Sequence, residues 1–415
     1  GAIDSGLEVP CDSDVIPSPE RISGKDVVDY AKNIEDPATY EKQFSAYLRK
    51  GINPESIQEH FEEVKKKIIE YNSYNEDFNK LRNLPKVRRF FDYEIRDSVK
   101  EKLNNQNISN AWIKMYELLN TYQFFNTRSD TTNTFHICEH PGGFVHAIKY
   151  YAKNVINKKH DFVFQSLKPG SDPQIFKPDK ELIDKYSDKL DYGPKQGDIT
   201  LKENIRYYIE KYGNKKFDLI TSDCGLDFSE NFIEQEAGLY KVFYGALLTA
   251  IGISNSGSNY IFKFFSFSDK KTIELLQIAS LFYERVDVVR TLTTKSGSGE
   301  NYCVCLNYNY KGDKKEVLRK LIDHIDSSDT TFILNKIDEK FLNRIYENHK
   351  LISLRRITTM NQLLFRFFNF EYIRDNQIIL NYVQNYTNYY VNHFLTFIGL
   401  DKTDKEKFNL FKLQL

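Results

Sequence analysis

The chain has 415 residues, of which 28% are charged and 40% hydrophobic, a balance typical of a folded protein and not of wholesale disorder. Basic and acidic side chains are equal in number, at 58 each, so a nucleic-acid partner would have to be bound by a local basic patch. The length allows two or three domains.

Cysteine usage and hydropathy bear on the compartment. The five cysteines include no CxxC pair, and their odd number and scatter argue against a disulfide framework and for a reducing compartment. The longest apolar run, Val242–Ile253, is too short for the ~20 residues that cross a bilayer, and it predicts a buried helix. We therefore expect an intracellular protein without a membrane partner or a metal site. It would be cytoplasmic if viral and nuclear if cellular.

In chain order, three regions differ in texture. Residues 1–104 form a predicted helical extension, in which Ser56–Tyr71 shows apolar residues at helical spacing. Residues 105–310 alternate β-rich runs with amphipathic stretches, and residues 311–415 return to helical patterns. The candidate strands of the middle region are 135–139, 162–167, 217–223, 259–264, 286–290 and 302–308, with helices predicted at 143–156, 202–212, 231–253 and 270–283.

This alternation predicts an α/β fold. Strand, helix and strand in succession imply right-handed crossovers and a largely parallel sheet covered on both faces. The last two candidate strands, joined by a Thr/Ser/Gly loop at 291–299, are expected to form an antiparallel hairpin. Ligands bind beyond the carboxyl ends of the strands in such folds, so those ends are where functional residues are expected.

The first candidate strand ends in an acidic residue followed by a glycine turn, Glu139-His140-Pro141-Gly142-Gly143-Phe144. Two glycines between a strand and a helix allow close backbone approach to a ligand, although Pro-Gly-Gly also suits a plain tight turn. The acid suits ribose hydroxyls or an ammonium group. No GxxxxGK[ST] phosphate loop or GxGxxG motif is present, which disfavours NTP hydrolysis and dehydrogenase-type dinucleotide binding.

Two further acids lie at predicted strand ends. Asp198 in Gly197-Asp198-Ile199-Thr200 could accept hydrogen bonds from an adenine amino group, with Ile199 packing on the ring. Asp223 follows the apolar run Phe217–Ile220 and is placed at the carboxyl edge of the sheet. An ordinary turn or loop aspartate is the alternative for both.

Two lysines and one glutamate complete the candidate site. Lys263 stands inside an aromatic and aliphatic strand, so it should be paired or have a lowered pKa, unless it extends to solvent from an edge strand. Lys114 lies near the edge of the apolar face of a helix capped by Ser109 or Asn110, where a solvated lysine is the alternative. Glu300 opens the last strand.

Taken together, these pieces resemble the FtsJ/RrmJ-type RNA ribose 2′-O-methyltransferases, over roughly residues 110–308. The segments that carry the resemblance are AWIKMYELLNT, HICEHPGGF, YGPKQGDIT, TSDCG with EQEAGLY, and KSGSGENYCVCLNY. The similarity is greatest to the cap-specific branch, which includes the cap-2 (Adrift-type) enzymes and the FtsJ-like proteins of large DNA viruses. His136 stands where many members have an aspartate, but the cap-2-like enzymes share the HxCExP pattern.

The resemblance implies a Rossmann-like core at 105–310, with a mostly parallel seven-stranded sheet, that uses S-adenosylmethionine. It also implies a catalytic tetrad of Lys114, Asp223, Lys263 and Glu300. Lys263, if its pKa is depressed, would be a general base or would stabilise the developing alkoxide. The cofactor would be bound by a further set of residues, Glu139, Pro141, Gly142, Gly143, Phe144, Asp198 and Ile199.

The expected partner is capped RNA, with a capping or transcription factor as a second candidate. Arg290 and Lys295 are predicted to meet RNA phosphates, with 86–91 and Arg355-Arg356 as outer basic patches. Cys303 and Cys305, on one face of a strand, are expected in the core. The alternatives are rRNA methylation, which the long flanking segments disfavour, and a catalytically silent RNA-binding subunit, which the intact tetrad opposes.

Overall fold

The computed structural model describes residues 19, 21–39, 42, 57–74, 91–105, 107–125, 128–170, 176–225, 239–265, 269–295, 298–399 and 411–414. The chain divides into two compact units. One unit comprises residues 106–291, 299–342 and 410–415, and the other comprises residues 1–105, 292–298 and 343–409. The predicted division at 104 and 310 stays a prediction.

The first unit is built on one mixed sheet. Its strands are β1 (Thr131–Ile137), β2 (Lys159–Phe164), β3 (Leu219–Ser222), β4 (Asn259–Phe264), β5 (Tyr283–Arg290), β6 (Asn301–Tyr308) and β7 (Phe411–Gln414). They are arranged in the order β2-β1-β3-β4-β6-β5-β7. Strands β2, β1, β3 and β4 pair in parallel, whereas β6 is antiparallel to both of its neighbours.

The predicted α/β fold is confirmed, and all six candidate strands between residues 131 and 308 form. The expectation of a mostly parallel sheet needs correction, because three of the six pairings among the described strands are antiparallel. The chain reverses after β5 and inserts β6 between β4 and β5. The four-residue β7 then adds an antiparallel edge in a region predicted to be helical.

The helices of this unit cover the sheet and follow from the sequence pattern. Its described helices are α4 (Asn110–Thr121), α5 (Gly143–Asn154), α6 (Lys180–Tyr186), α7 (Lys202–Tyr212), α8 (Tyr240–Ile253), α9 (Lys270–Phe282) and α10 (Lys314–Asp323). The described helices that precede them in the chain, α1 (Gly24–Ile34), α2 (Ile57–Ser73) and α3 (Phe91–Leu103), belong to the other unit. Helix α8 is apolar on all sides and almost wholly buried, as its sequence predicts. Ser109 caps α4 by accepting a hydrogen bond from Trp112 N.

The second unit is helical in its described part. Besides α1 to α3 it contains most of α11 (Glu339–Phe368), together with α12 (Phe370–Ile373) and α13 (Gln377–Phe397). Glu35, just after α1, forms a fully buried two-point ion pair with Arg366 of α11, with both contacts at 2.8 Å. Gln362 donates to the carbonyl oxygen of Ile34 at 2.8 Å. These polar contacts hold the N-terminal helix to the C-terminal ones within this unit.

Candidate functional site

The four tetrad residues come together at the carboxyl edge of the sheet as two Lys–carboxylate pairs. Lys114, on α4, places Nζ 2.9 Å from Glu300 Oε1, and Lys263, on β4, places Nζ 3.1 Å from Asp223 Oδ1. Their side chains are only 11% to 14% exposed. Residues separated by up to 186 positions are thus assembled into one polar cluster.

Electrostatics favour the charged forms of Lys263 and Glu300 in this cluster. Burial alone would lower the pKa of Lys263, but the carboxylates of Asp223 and Glu300 more than offset it, and the pKa is raised. Burial would likewise raise the pKa of Glu300, yet Lys114 and Lys263 lower it to about 2. The expectation of a depressed Lys263 pKa is therefore wrong for this arrangement. The lysine is a cation at neutral pH and is not a resting general base.

Tyr302 is a site residue that the sequence reading missed. It is 1% exposed on β6, its hydroxyl donates to Glu300 Oε1 at 2.6 Å, and its ring lies 6.1 Å from that of Phe144. It follows Glu300 by two residues on an alternating strand, which places both side chains on one face of the sheet. The two-residue spacing from Glu300 is the sequence feature that could have identified Tyr302.

Glu139 lies beside the tetrad, directly after β1. Its Oε1 accepts the main-chain N–H of Val145 at 2.7 Å, while Oε2 is buried without a hydrogen-bond partner among the described residues. Burial raises the pKa of this carboxyl well above its ordinary value, although the hydrogen bond from Val145 opposes the shift. A buried acceptor left unmatched in this way is suited to a ligand that brings a cation or a strong donor.

The glycine turn at 142–143 serves packing first. Gly142 has φ of 125°, and a Cβ there would stand 2.3 Å from Leu182 Cδ1. A Cβ on Gly143 would stand 2.7 Å from Ala111 Cβ. Gly143 thus lets α5 begin close against α4, the helix that carries Lys114, while Gly142 makes room for Leu182 of α6. Pro141, after a cis peptide bond, and the fully buried Phe144 complete the turn.

The Gly-Asp-Ile-Thr segment lies in a turn before α7 and not at the end of a strand, which corrects the predicted placement. The chain here makes only a single parallel bridge, between Leu190 and Phe164, before turning into the helix. Asp198 Oδ1 accepts from both the N–H and the hydroxyl of Thr200 at 2.9 and 2.6 Å. Ile199 is 4% exposed.

A disulfide between Cys138 and Cys224 corrects the expectation that the chain has none. Cys138 follows β1 and Cys224 follows β3, and the two strands pair side by side with Ile137 opposite Ser222. Parallel pairing thus brings together cysteines that are 86 residues apart in sequence. Cys138 directly precedes Glu139, and Cys224 directly follows Asp223. Cys303 and Cys305 are free and buried, as expected for the core.

The predicted RNA contacts need correction. Arg290 is 4% exposed and donates from Nη1 to the carbonyl oxygen of Glu300 at 3.2 Å, so it orders the start of β6. Arg355 and Arg356 are buried in α11, because they fall on its inward face, and they form no surface patch. Lys295 is exposed. The basic run at 86–91 and residues 234–238 of the EQEAGLY motif lie outside the described residues or side chains.

The cofactor set fits S-adenosylmethionine in its chemistry. The unmatched Glu139 oxygen could accept from the amino-acid ammonium group or a ribose hydroxyl. Asp198, half-buried, retains a second carboxylate oxygen for an amino group on adenine. Glu139 lies beside the tetrad, since it interacts electrostatically with Asp223.

Comparison with known proteins agrees with this geometry. A family model described as FtsJ-like methyltransferase matches residues 108–308. A protein of African swine fever virus named "Probable methyltransferase" is 27% identical over 276 residues, covering 63% of this chain and 64% of that one. The cap-specific mRNA (nucleoside-2′-O-)-methyltransferase 2 of Drosophila melanogaster is 25% identical over 226 residues, covering 52% of this chain and 32% of that one.

An uncharacterized protein of Acanthamoeba polyphaga mimivirus is 25% identical over 307 residues, covering 72% of this chain and 39% of that protein. The chain thus covers 39% of the mimivirus protein and 64% of the African swine fever virus protein. The family match agrees with the predicted resemblance over residues 108–308. No described helix is long and apolar enough to cross a membrane.

Proposed function

We propose that the chain, whose residues 108–308 match the FtsJ-like methyltransferase model, transfers a methyl group from S-adenosylmethionine to the ribose 2′-hydroxyl of a cap-proximal nucleotide in mRNA. The observation that carries the proposal is the pair of buried Lys–carboxylate contacts beside the unmatched carboxyl of Glu139. The two Lys–carboxylate pairs at the edge of the sheet would bind a polar reacting group, and the carboxyl of Glu139 would bind a cationic ligand.

The cofactor side would use Glu139, the turn from Pro141 to Phe144, and Asp198 with Ile199. When bound, S-adenosylmethionine supplies an activated methyl group. Glu139 would hold the ammonium group of the amino-acid end, and Asp198 would fix the adenine. Anchoring both ends aligns the reacting carbon with the nucleophile, and such alignment supplies much of the rate in a bimolecular transfer.

On the RNA side, Lys263 would donate a hydrogen bond to the 2′-oxygen. A ribose hydroxyl is a poor nucleophile, and negative charge grows on its oxygen as the proton leaves. The ammonium group of Lys263, kept charged by Asp223 and Glu300, stabilises that charge where water is largely excluded. Lys114 holds Glu300 in place. The hydroxyl proton would pass to water as the oxygen–carbon bond forms, because the charged Lys263 cannot accept it.

Cap dependence is the finer part of the proposal, and the cap-specific name of the Drosophila relative supports it. We expect methylation of short capped RNA to exceed that of uncapped RNA of the same sequence by an order of magnitude or more, with the modified nucleotide mapped by nuclease digestion and mass spectrometry. Equal rates on the two RNAs would move the substrate to general or ribosomal RNA. Absence of transfer to any RNA, with the cofactor bound, would favour a silent RNA-binding subunit.

A further inference from the structure

One buried amide connects the two parts of the cofactor site. Gln165 follows β2 and is fully buried. Its Oε1 accepts the N–H of Cys138 at 3.1 Å, and its Nε2 donates to the carbonyl oxygen of Gly197 at 2.6 Å. Its main-chain carbonyl also accepts the N–H of Glu139 at 2.9 Å. A single residue therefore contacts the neighbour of Glu139 and the neighbour of Asp198.

The turn that contains Gly197 and Asp198 packs against the end of β2. Gly197 has φ of 72°, and a Cβ there would stand 1.8 Å from the carbonyl oxygen of Ser166, so only glycine fits. Asn204, from α7, donates to the carbonyl oxygens of Lys195 and Asp198 at 2.9 and 2.8 Å. The turn is thus held to α7 by Asn204 and to the β1 edge by Gln165.

We propose that Gln165 is a positioning residue that sets the distance between Glu139 and Asp198, the groups assigned to opposite ends of the cofactor. The inference rests on the proposed function. It requires a side chain that accepts from one segment and donates to the other, and the planar amide of glutamine meets both needs at once. Glutamate of the same length can accept from Cys138 but cannot donate to Gly197.

The test compares Gln165→Glu and Gln165→Met with the wild type. Gln362→Glu is the matched control, because Gln362 is also a buried glutamine that donates to a main-chain carbonyl, at 2.8 Å, in the helical unit. Equilibrium dissociation constants are measured for S-adenosylhomocysteine, which spans both ends, and for methylthioadenosine, which lacks the amino-acid end. Thermal unfolding reports whether each variant is folded, and the uncharged Met variant decides the matter if the Glu variant is not.

We expect the Kd of S-adenosylhomocysteine to rise about 10- to 100-fold in the Gln165 variants, the effect of one lost buried hydrogen bond on a coupled site. Methylthioadenosine should be weakened less than about threefold, because it does not depend on the spacing. The KM for S-adenosylmethionine should rise with kcat at saturation nearly unchanged. The control should lose stability without losing affinity.

Two results would overturn the inference while leaving the proposed function intact. One is an unchanged Kd for S-adenosylhomocysteine in a folded Gln165 variant. The other is an equal loss of affinity for both ligands, which would indicate a general structural role. Wild-type protein that binds neither ligand would instead contradict the proposed function itself.

Discussion

The two neighbouring parts of the site differ in how their charges are matched. The tetrad is electrostatically complete, since each of its lysines contacts a carboxylate within 3.1 Å. The carboxyl of Glu139 is as deeply buried, but one of its oxygens has no partner among the described residues. In the proposed function, this difference would separate a preorganised cluster, which acts with the charges it already has, from a binding group whose match comes with the ligand.

Removing the central cation should have the largest effect. We expect Lys263→Met to reduce methyl transfer by about 10²- to 10⁴-fold, as for loss of a positioned charged group in a transition state. Affinity for S-adenosylhomocysteine should stay within a fewfold, because Glu139 is untouched. A single-turnover assay and calorimetry measure the two quantities.

Lys314→Met is the control for that substitution. Lys314 is also a partly buried lysine of the same unit, but it bonds to the carbonyl oxygen of Ser254 and has no contact with the tetrad. A folded Lys263→Met protein that methylates at nearly the wild-type rate would make Lys263 a structural residue and remove the basis of the tetrad assignment.

The Cys138–Cys224 disulfide links the segment of Glu139 to the segment of Asp223. Breaking it tests whether the binding group and the tetrad depend on each other. The double variant Cys138→Ser, Cys224→Ser should lose about 2–4 kcal/mol in the free energy of unfolding, as expected for opening a loop of this length. We expect activity to fall less than in Lys263→Met, because both charged pairs remain.

Denaturant titration with and without a dithiol reductant measures the change, and a non-reducing peptide map checks the bond. The Cys303→Ser variant serves as the control, since that thiol is buried and free. A wild-type protein with the same unfolding midpoint in both conditions would show that the 138–224 bridge contributes nothing to stability.

Glu139→Gln should weaken binding of the cofactor and leave the tetrad of the free protein unchanged. We expect the affinity for S-adenosylhomocysteine to fall about tenfold or more, because a charge-assisted hydrogen bond contributes roughly 1.5–3 kcal/mol. The free protein should become no less stable. The raised pKa of this carboxyl means that it favours folding at low pH and opposes it as the pH rises above 4.5, its ordinary value.

The stability gain of Glu139→Gln should therefore be present at pH 7 and vanish below about pH 4, as followed by thermal unfolding in a series of buffers. If the substitution destabilised the free protein at pH 7 and left the affinity unchanged, Glu139 would belong with the structural groups and the comparison would fail.

A smaller, pH-dependent effect should act on both parts together. His136 lies on β1 and is hydrogen-bonded to Thr134 and to Thr221 of β3, so it connects the strands that carry Glu139 and Asp223. Burial lowers its pKa to about 3 from 6.5. His160, bonded to the same Thr134 hydroxyl, is shifted in the same direction by burial.

Because the folded pKa of His136 is depressed, the unfolded chain binds more protons below pH 6.5, and stability should decline as the pH falls from about 6.5 towards 3. The contribution is at most about 1.4 kcal/mol per pH unit for one group. His136→Gln should flatten the decline, whereas His393→Gln at a half-buried position of α13 should not. Parallel pH profiles for all three proteins would place the acid-sensitive group elsewhere.

Local sequence was sufficient for the six central strands, and the family resemblance named the tetrad residues. The apolar runs predicted the six strands between residues 131 and 308, and the lone lysine of β4 stood out because charge inside a buried strand requires a partner. Lys114, Asp223 and Glu300 could be named from their motif context. Their contacts, at 2.9 and 3.1 Å, were not readable, since they join segments far apart in the chain.

Only the tertiary structure decided the pKa values and bonding partners, because both depend on neighbours that are distant in sequence. The pKa of Lys263 was expected to fall because burial favours the neutral form, and it is raised because two carboxylates lie beside it. The disulfide was missed because cysteine spacing does not reveal which strands pair. Gln165 gives no signal in a sequence, since a glutamine is significant only when two segments meet at its amide. The sequence by itself determined which chemical groups are present and on which elements. Their charge states and partners were determined by the packing of those elements, because electrostatic and hydrogen-bond energies depend on distance and burial in space.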